Sequence, residues 1–286
     1  MENLVIVGSG PAGISASLYT VRANLSPLVI AKGMGGLEKA EKIDNFYGNE
    51  EGLTGAQLHE KGVRQAKKLG VRFLEAEVLG IRETENFIVV TSEGEIETKM
   101  VLLATGSKRV TLKVPGRKEL EGRGISYCAV CDAFFYRKKK VAVVGNGDFA
   151  LHEARVLKPL AQSVTILTDG KEKMFSEEPE FSLDTRKIAA FEGTEKLKAI
   201  LFEGGEKLEA DGVFLAIGTA GSSEIARQMG AQLTEKGQIK VNDKMETTIR
   251  GLYAAGDCTG GILQVAKAVY EGAAAGMAIA TTFRKL

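Results

Sequence analysis

A glycine-rich turn between a buried strand and a helix occurs twice in this chain, at Gly8-Ser9-Gly10-Pro11-Ala12-Gly13 and at Gly145-Asn146-Gly147-Asp148-Phe149-Ala150. Each small residue has its own task. The first allows the tight turn, the second lets backbone approach a pyrophosphate, and the last packs helix against strand. The helix N-terminus then faces the negative charge. The two turns lie about 137 residues apart, which reads as a duplication at domain scale rather than a solenoid repeat. Around the first, 4–7 reads as a buried strand, 11–23 as a helix and 27–31 as a second strand; 141–144, 148–157 and 164–167 repeat the pattern.

The same reading predicts a helix over 55–68 and strands over 71–74, 87–91, 99–104 and 213–217. A last strand and loop at 251–257 precede a helix over 264–283. Ala104-Thr105-Gly106 and Ala216-Ile217-Gly218 echo each other as strand ends. The expected class is α/β, with two Rossmann-like three-layer nucleotide-binding domains, the second inserted in the first. Residues 1–111 and 241–286 are expected to form the first, discontinuous domain, and 112–240 the inserted one. A chain of 286 residues with 44% hydrophobic content can bury one or two cores. Its 38 basic residues balance 37 acidic ones, so composition gives no case for nucleic acid or membrane partners. No apolar run reaches the roughly 18 residues of a membrane span. Three cysteines and no basic leader point to a reducing, cytoplasmic compartment.

In the first turn, Pro11 suits the first helical position, where its missing N–H is no loss. The second strand ends at Ala31-Lys32, with no acid there to hold a ribose, so the adenosine must be held some other way. Asp257, following Ala254-Ala255-Gly256 at a strand end, can accept from a ribityl hydroxyl, which favours FAD over NAD; it also suits a helix cap. Cys128-Ala129-Val130-Cys131-Asp132 lies between the two turns, and a dinucleotide site flanking paired thiols points to electrons passing from cofactor to disulfide. C-x-x-C is also half a zinc site, but Cys258, His59 and His152 stand at no ligand spacing, so no metal is expected. Cys258 reads as a small buried hydrophobe, and His59 and His152 as surface or helix-filling residues.

The chain resembles the low-molecular-weight thioredoxin reductases. The matching stretches are the first glycine turn, Arg22-Ala23-Asn24-Leu25, Asp44-Asn45-Phe46, Leu53-Thr54-Gly55, Ala104-Thr105-Gly106, Cys128-Ala129-Val130-Cys131-Asp132, Phe134-Phe135-Tyr136 and Ala254-Ala255-Gly256-Asp257. The resemblance implies FAD, a homodimer, thioredoxin as partner, and two domains that rotate to carry the thiols between flavin and thioredoxin. It implies that Cys131 faces the flavin, that Cys128 exchanges with the thioredoxin disulfide, and that Asp132 moves the proton. A two-residue spacer across a helix start suits disulfide closure and a lowered thiol pKa. Cofactor contacts carry over to Gly8, Ser9, Gly10, Pro11, Ala12, Gly13, Gly36, Leu37, Asn45, Val78, Ala104, Thr105, Gly106, Gly256, Asp257, Gln264 and Val265. Gly35-Gly36-Leu37-Glu38 stands for the family's Gly-Gly-Gln-Leu and Leu263-Gln264 for its Arg-Gln pair, so the ring contacts differ.

The second turn departs further. Phe149 is bulky where the family has a small residue, and Thr168-Asp169-Gly170-Lys171 lacks the arginine pair that holds the NADPH 2′-phosphate. Losing two charge-assisted bonds of about 1.5–3 kcal/mol each weakens NADPH about 10²–10⁴-fold. Asp169 suits an NAD ribose instead, which keeps an NADH- or NADPH-dependent reductase as an alternative. The chain also resembles a branch of the family that lacks the nucleotide motifs and takes electrons from ferredoxin. Ten basic residues (Lys108, Arg109, Lys113, Arg117, Lys118, Arg123, Arg137, Lys138, Lys139, Lys140) against Glu119, Glu121 and Asp132 suit an acidic donor, or simply a solvated surface. A ferredoxin near −400 mV and a thioredoxin near −270 mV leave about 6 kcal/mol for two electrons. A non-catalytic flavin redox sensor is the third reading.

Overall fold

The computed structural model describes residues 1–49, 52–106, 112–218 and 221–285, with the side chains of Lys39 and Cys131 excepted. The expected boundary at Thr111 and the basic residues Lys108 and Arg109 lie outside the described residues. Backbone contacts divide the chain into two compact units, Met1–Lys108 with Gly221–Leu286, and Arg109–Ala220.

The first unit opens with β1 (Val5–Val7), α1 (Pro11–Arg22), β2 (Leu28–Ala31), α2 (Gly55–Lys68) and β3 (Arg72–Glu75). β1 is buried throughout, as an unbroken apolar run in a central parallel strand requires. The capping box of Thr54 and Gln57 starts α2, and Lys67 and Lys68 complement its C-terminal dipole. An antiparallel meander of β4 (Val78–Glu83), β5 (Phe87–Thr91) and β6 (Gly94–Thr98) then leads to β7 (Val101–Leu103).

The second unit repeats this plan. It holds β8 (Ile125–Ser126), α3 (Ala129–Asp132), β9 (Lys140–Val144), α4 (Asp148–Leu157), β10 (Ser163–Leu167) and β11 (Ser182–Asp184). A second meander, β12 (Ile188–Gly193), β13 (Leu197–Phe202) and β14 (Lys207–Glu209), precedes β15 (Gly212–Leu215). The chain then returns to the first unit with α5 (Ser222–Gln228), β16 (Leu252–Ala254) and α6 (Val265–Phe283).

Both main sheets are wholly parallel. Their orders are β16-β7-β1-β2-β3 and β8-β15-β9-β10-β11. Four strands correspond one for one, and only the fifth differs: the first unit takes it from the far end of the chain, the second from just before its glycine turn. The fold is thus α/β with two Rossmann-like units. Residues 221–240 correct the expected return near 241. They group with the first unit because Ser222 bonds Thr105 and the Ile239 N–H donates to the Cys258 carbonyl at 2.9 Å.

Each unit has its own core, one built around Leu4, Ile6, Leu102 and Tyr253, the other around Val144, Ile200, Phe202 and Val213. In the first, α1 and α6 approach backbone to backbone: a carbon added at Gly272 would stand 2.1 Å from the Ala12 carbonyl oxygen. Among the described residues, no helix is long and apolar enough to cross a membrane.

Candidate active site

The parallel order β16-β7-β1 sets three C-terminal strand ends side by side, where open α/β sheets hold their ligands. Gly8 follows β1, Ala104-Thr105-Gly106 follows β7, and Gly256-Asp257 follows β16. The loops touch. Gly8 has φ +112°, and a side-chain carbon there would lie 2.4 Å from the Ala104 carbonyl oxygen; at Gly256 it would lie 3.0 Å from the Ala12 side chain. At Gly10 it would meet nothing within 4 Å, which leaves an open approach to the turn. α1 begins at Pro11 with no side chain capping it, so its first N–H groups are available to an anion. This cradle fits the pyrophosphate of a flavin dinucleotide.

Of the other expected contacts, the Asn45 amide donates to the Gln264 carbonyl oxygen at 3.0 Å, and both side chains are exposed. Gly36 is exposed and Leu37 is 8% exposed in the short helical turn Gly35–Lys39. Val78 is buried at the start of β4, and Val265 opens α6. The Thr105 hydroxyl is committed elsewhere: it shares a 2.8 Å bond with the Ser222 hydroxyl and accepts the Ser222 N–H at 2.8 Å. Ser9 bonds His59 of α2, Oγ to Nε2 at 2.9 Å, so His59 belongs to the turn rather than to a bland helix surface. Burial lowers its pKa. Lys32, where an acid was missed, pairs with buried Glu77 at 2.8 Å.

Sequence reasoning also missed what holds the loop on either side of Asp257. Lys267 Nζ donates to the carbonyls of Gly256 at 2.8 Å and Gly260 at 2.5 Å, and to Thr259 Oγ1 at 2.9 Å. Glu271 accepts from the Gly256 N–H and the Thr259 hydroxyl, both at 2.8 Å, and pairs with Lys267 at 3.0 Å. The i,i+4 spacing on α6 was the available signal. Desolvation raises the Asp257 pKa, with Lys267 opposing it.

In the second unit, Cys128 is 2% exposed and disulfide-bonded, whereas Cys258 of the first is a free, buried thiol. Burial pushes the Cys258 thiol up to about 12, so it stays protonated and inert, as a small hydrophobe should. Ser126, at the end of β8, organises the cysteine turn. Its hydroxyl donates to Asp132 Oδ2 at 2.6 Å and accepts the Cys128 N–H at 3.1 Å. Glu153 of α4, 1% exposed, accepts the Ala129 N–H at 2.7 Å. Val130, Phe134 and Phe135 are 54%, 67% and 68% exposed, an apolar patch beside Cys128. Burial, and next Asp132, raise the Tyr136 pKa. Among the described residues, no group of three or more His, Cys, Asp or Glu is arranged to hold a metal.

The second glycine turn is occupied by its own chain. The Met174 N–H donates to the Asn146 carbonyl at 2.7 Å, the Asn146 amide to the Glu172 carbonyl at 2.8 Å, and Gly147 bridges Met174. Asp148 opens α4 and accepts the Ser176 N–H at 2.8 Å, which sets a carboxylate in the first turn of the helix. Phe149 is buried at 4% exposure. Asp169 accepts the Ile188 N–H at 2.9 Å and so has a structural task. Of the described basic residues, Arg117 is bound to Glu121 and Tyr127 and Lys140 pairs with Glu209; Lys113, Lys118, Arg123, Arg137, Lys138 and Lys139 are exposed.

A glycine turn open to a dinucleotide in one unit and a disulfide-bonded cysteine at a helix start in the other define a dinucleotide-dependent disulfide oxidoreductase. Residues 2–272 match the family described as pyridine nucleotide-disulphide oxidoreductase. The chain belongs to the low-molecular-weight thioredoxin reductases, flavoproteins within that family. It is 34% identical over 275 residues to the thioredoxin reductase of Bacillus subtilis, covering 89% of this chain and 86% of the relative. The crystal structure of the atypical thioredoxin reductase TRi from Desulfovibrio vulgaris Hildenborough superposes with a TM-score of 0.94 at 37% identity, covering 100% and 99% of the two chains. A ferredoxin-flavin thioredoxin reductase from Clostridium acetobutylicum gives a TM-score of 0.72 at 32% identity, covering 99% and 98%.

Proposed function

We propose that this chain reduces thioredoxin through FAD in the first unit and a Cys128–Cys131 disulfide in the second, with ferredoxin rather than NADPH as electron donor. The self-filled second turn carries the choice of donor. Asn146, Gly147 and Asp148 are satisfied by residues 172–176, and the Asp148 carboxylate repels a pyrophosphate. The exposed lysines and arginines of 113–139 suit an acidic partner. The exposed Val130, Phe134 and Phe135 suit the docking of the disulfide substrate.

FAD, when bound, takes electrons singly and passes them on as a pair. The Gly8–Gly13 turn would hold its pyrophosphate and Asp257 its ribityl chain. The adenosine end is assigned to the groove of about 830 Å³ along α2, whose walls include Met34, His59, Arg64 and Lys67. Two electrons break the Cys128–Cys131 bond, and the two sulfurs take two protons. The Cys128 thiolate then attacks the thioredoxin disulfide, Cys131 displaces the product, and Asp132, oriented by Ser126, moves the proton. A second copy of the chain suits the exposed Tyr19, Tyr270 and Met277 of α1 and α6, and a buried free thiol suits the cytoplasm.

The test mixes the protein, dithionite-reduced ferredoxin and oxidised thioredoxin, then counts new thiols. Thiols well above a Cys131→Ser control are expected; output equal to that control overturns the function. Anaerobic NADPH or NADH is expected to bleach the flavin only at millimolar levels. Bleaching at micromolar levels overturns the donor and restores the nucleotide-dependent reading. Equal thiol output from wild type and Cys128→Ser would favour the redox sensor.

A further inference from the structure

We infer that Ser126 is a positioning residue of the thiol exchange: it ties the Asp132 carboxyl to the backbone of Cys128, and the rate of proton movement depends on that tie. This deepens the proposed function and rests on its Cys128–Cys131 couple. Ser126 ends β8, a two-residue strand paired with β15 and the strand by which the second unit departs from the first. Its hydroxyl is buried, and the single proton goes to Asp132 Oδ2 at 2.6 Å rather than to the Cys128 carbonyl at 3.4 Å. The same oxygen accepts the Cys128 N–H at 3.1 Å. The Asp132 N–H in turn donates to the Cys128 carbonyl at 3.2 Å. These bonds close a ring through Ser126, Cys128 and Asp132.

A serine often bonds the N–H two residues on, and the Cys128 bond is of that local kind. The bond to Asp132, six residues on, is not. Asp132 precedes the short turn Ala133–Tyr136 and places no side-chain bond on it, so its carboxyl is not used as a cap. The residue is half-buried, and among the described residues its Oδ1 meets no donor. Burial, and next Asp132, raise the Tyr136 pKa, so the phenol keeps its proton and is no rival base. The start of α3 does not depend on the serine, because Glu153 of α4 accepts the Ala129 N–H there. What the serine adds is the place of the acid. A carboxyl free to turn about its own side-chain bonds is out of reach for part of the time, and proton transfer slows accordingly. In the exchange, the Cys128 thiolate attacks one thioredoxin sulfur and that disulfide breaks; the Cys131 thiolate then attacks Cys128 and re-forms the Cys128–Cys131 bond. Two electrons pass to thioredoxin, and the two protons lost by the cysteines end on its two sulfurs, carried by Asp132 from a fixed place.

The experiment reduces the flavin-loaded protein with dithiothreitol, removes the reagent anaerobically, and mixes the protein with oxidised thioredoxin at rising concentration, so no electron donor enters the measurement. Ser126→Ala should lower the maximal rate of thioredoxin reduction about tenfold and leave the thioredoxin concentration at half that rate unchanged, since Ser126 is buried away from a partner. Ser126→Thr keeps the hydroxyl and should stay within about threefold of wild type, whereas Ser126→Val, of the same shape, should slow as Ser126→Ala does. That pair carries the comparison should the alanine variant fail to fold. In the Asp132→Asn background, Ser126→Ala should slow the reaction no further, because the serine acts through the acid. Equal rates for wild type and Ser126→Ala overturn the inference, as do coincident rates for Ser126→Thr and Ser126→Val, or an equal loss recurring in the Asp132→Asn background. A reduced wild-type protein that passes no electrons to thioredoxin instead sinks the proposed function itself, so the two failures are distinguishable.

Discussion

Single residues set the chemistry. Asp132→Asn should slow thioredoxin reduction by roughly 10²–10⁴-fold while the flavin spectrum stays unchanged, since it removes one proton-transfer group and no cofactor contact. Ser126→Ala breaks the bonds to Asp132 and to the Cys128 N–H. It should cost about 1–3 kcal/mol, read as a lower urea midpoint, because the Cys128 N–H is left buried. His59 gives a pH signature. Burial puts its folded pKa below the unfolded value of about 6.5. Its contribution is therefore complete above that value and lost as pH falls through the folded pKa. Between about pH 7.5 and 5.5 the wild-type urea midpoint should fall further than that of His59→Gln, whose amide can still bond Ser9. The glycine turn of Gly8, Gly10 and Gly13 and the disulfide-bonded Cys128 were legible in sequence. Ser126, Glu153 and Ser222 were not, because an isolated serine or glutamate gains meaning only from the partner that folding brings to it.

At the scale of elements, α6 is the brace of the 256–260 loop, which the proposed function gives to the flavin. Lys267 and Glu271 stand one turn apart, 13% and 12% exposed, and between them hold the 256–260 backbone. Lys267→Met strands Glu271 in a poorly hydrated place. The cost should approach about 3 kcal/mol and FAD affinity should fall, checked by urea unfolding of the apoprotein and by flavin titration. Adding Glu271→Gln should recover part of the stability, since the unpaired charge is gone. The βαβ stretches were readable because their apolar runs are long enough to show a period. The meanders were largely missed. Gly94–Thr98 and Lys207–Glu209 are short and mostly polar or exposed, and only pairing with a neighbouring strand makes them strands.

At the scale of the molecule, one plan is used twice and its copies have diverged in opposite directions. The first keeps its turn open; the second fills it with residues 172–176. Docking of the proposed ferredoxin donor on the exposed lysines and arginines of 113–139 predicts a salt effect. Thioredoxin reduction driven by ferredoxin should slow severalfold between about 50 and 500 mM NaCl as charges are screened. Reduction of the disulfide by dithiothreitol, a neutral reagent, should change little, so comparing the two rates isolates steering from thiol chemistry.

What the chain determined by itself was local: two glycine turns, the strands and helices on either side of them, and the cysteine pair, each encoded within a few neighbouring residues whose conformational preferences need no distant partner. What tertiary structure decided was convergence. The return point at 221 rather than 241 follows from Thr105 meeting Ser222 across more than a hundred residues. The filling of the second turn follows from Met174 meeting Asn146, and the buried acid at the start of α3 from Glu153 meeting Ala129. Such bonds join residues whose separation along the chain carries no signal, and their free energy exists only once the sheet has brought strand ends together.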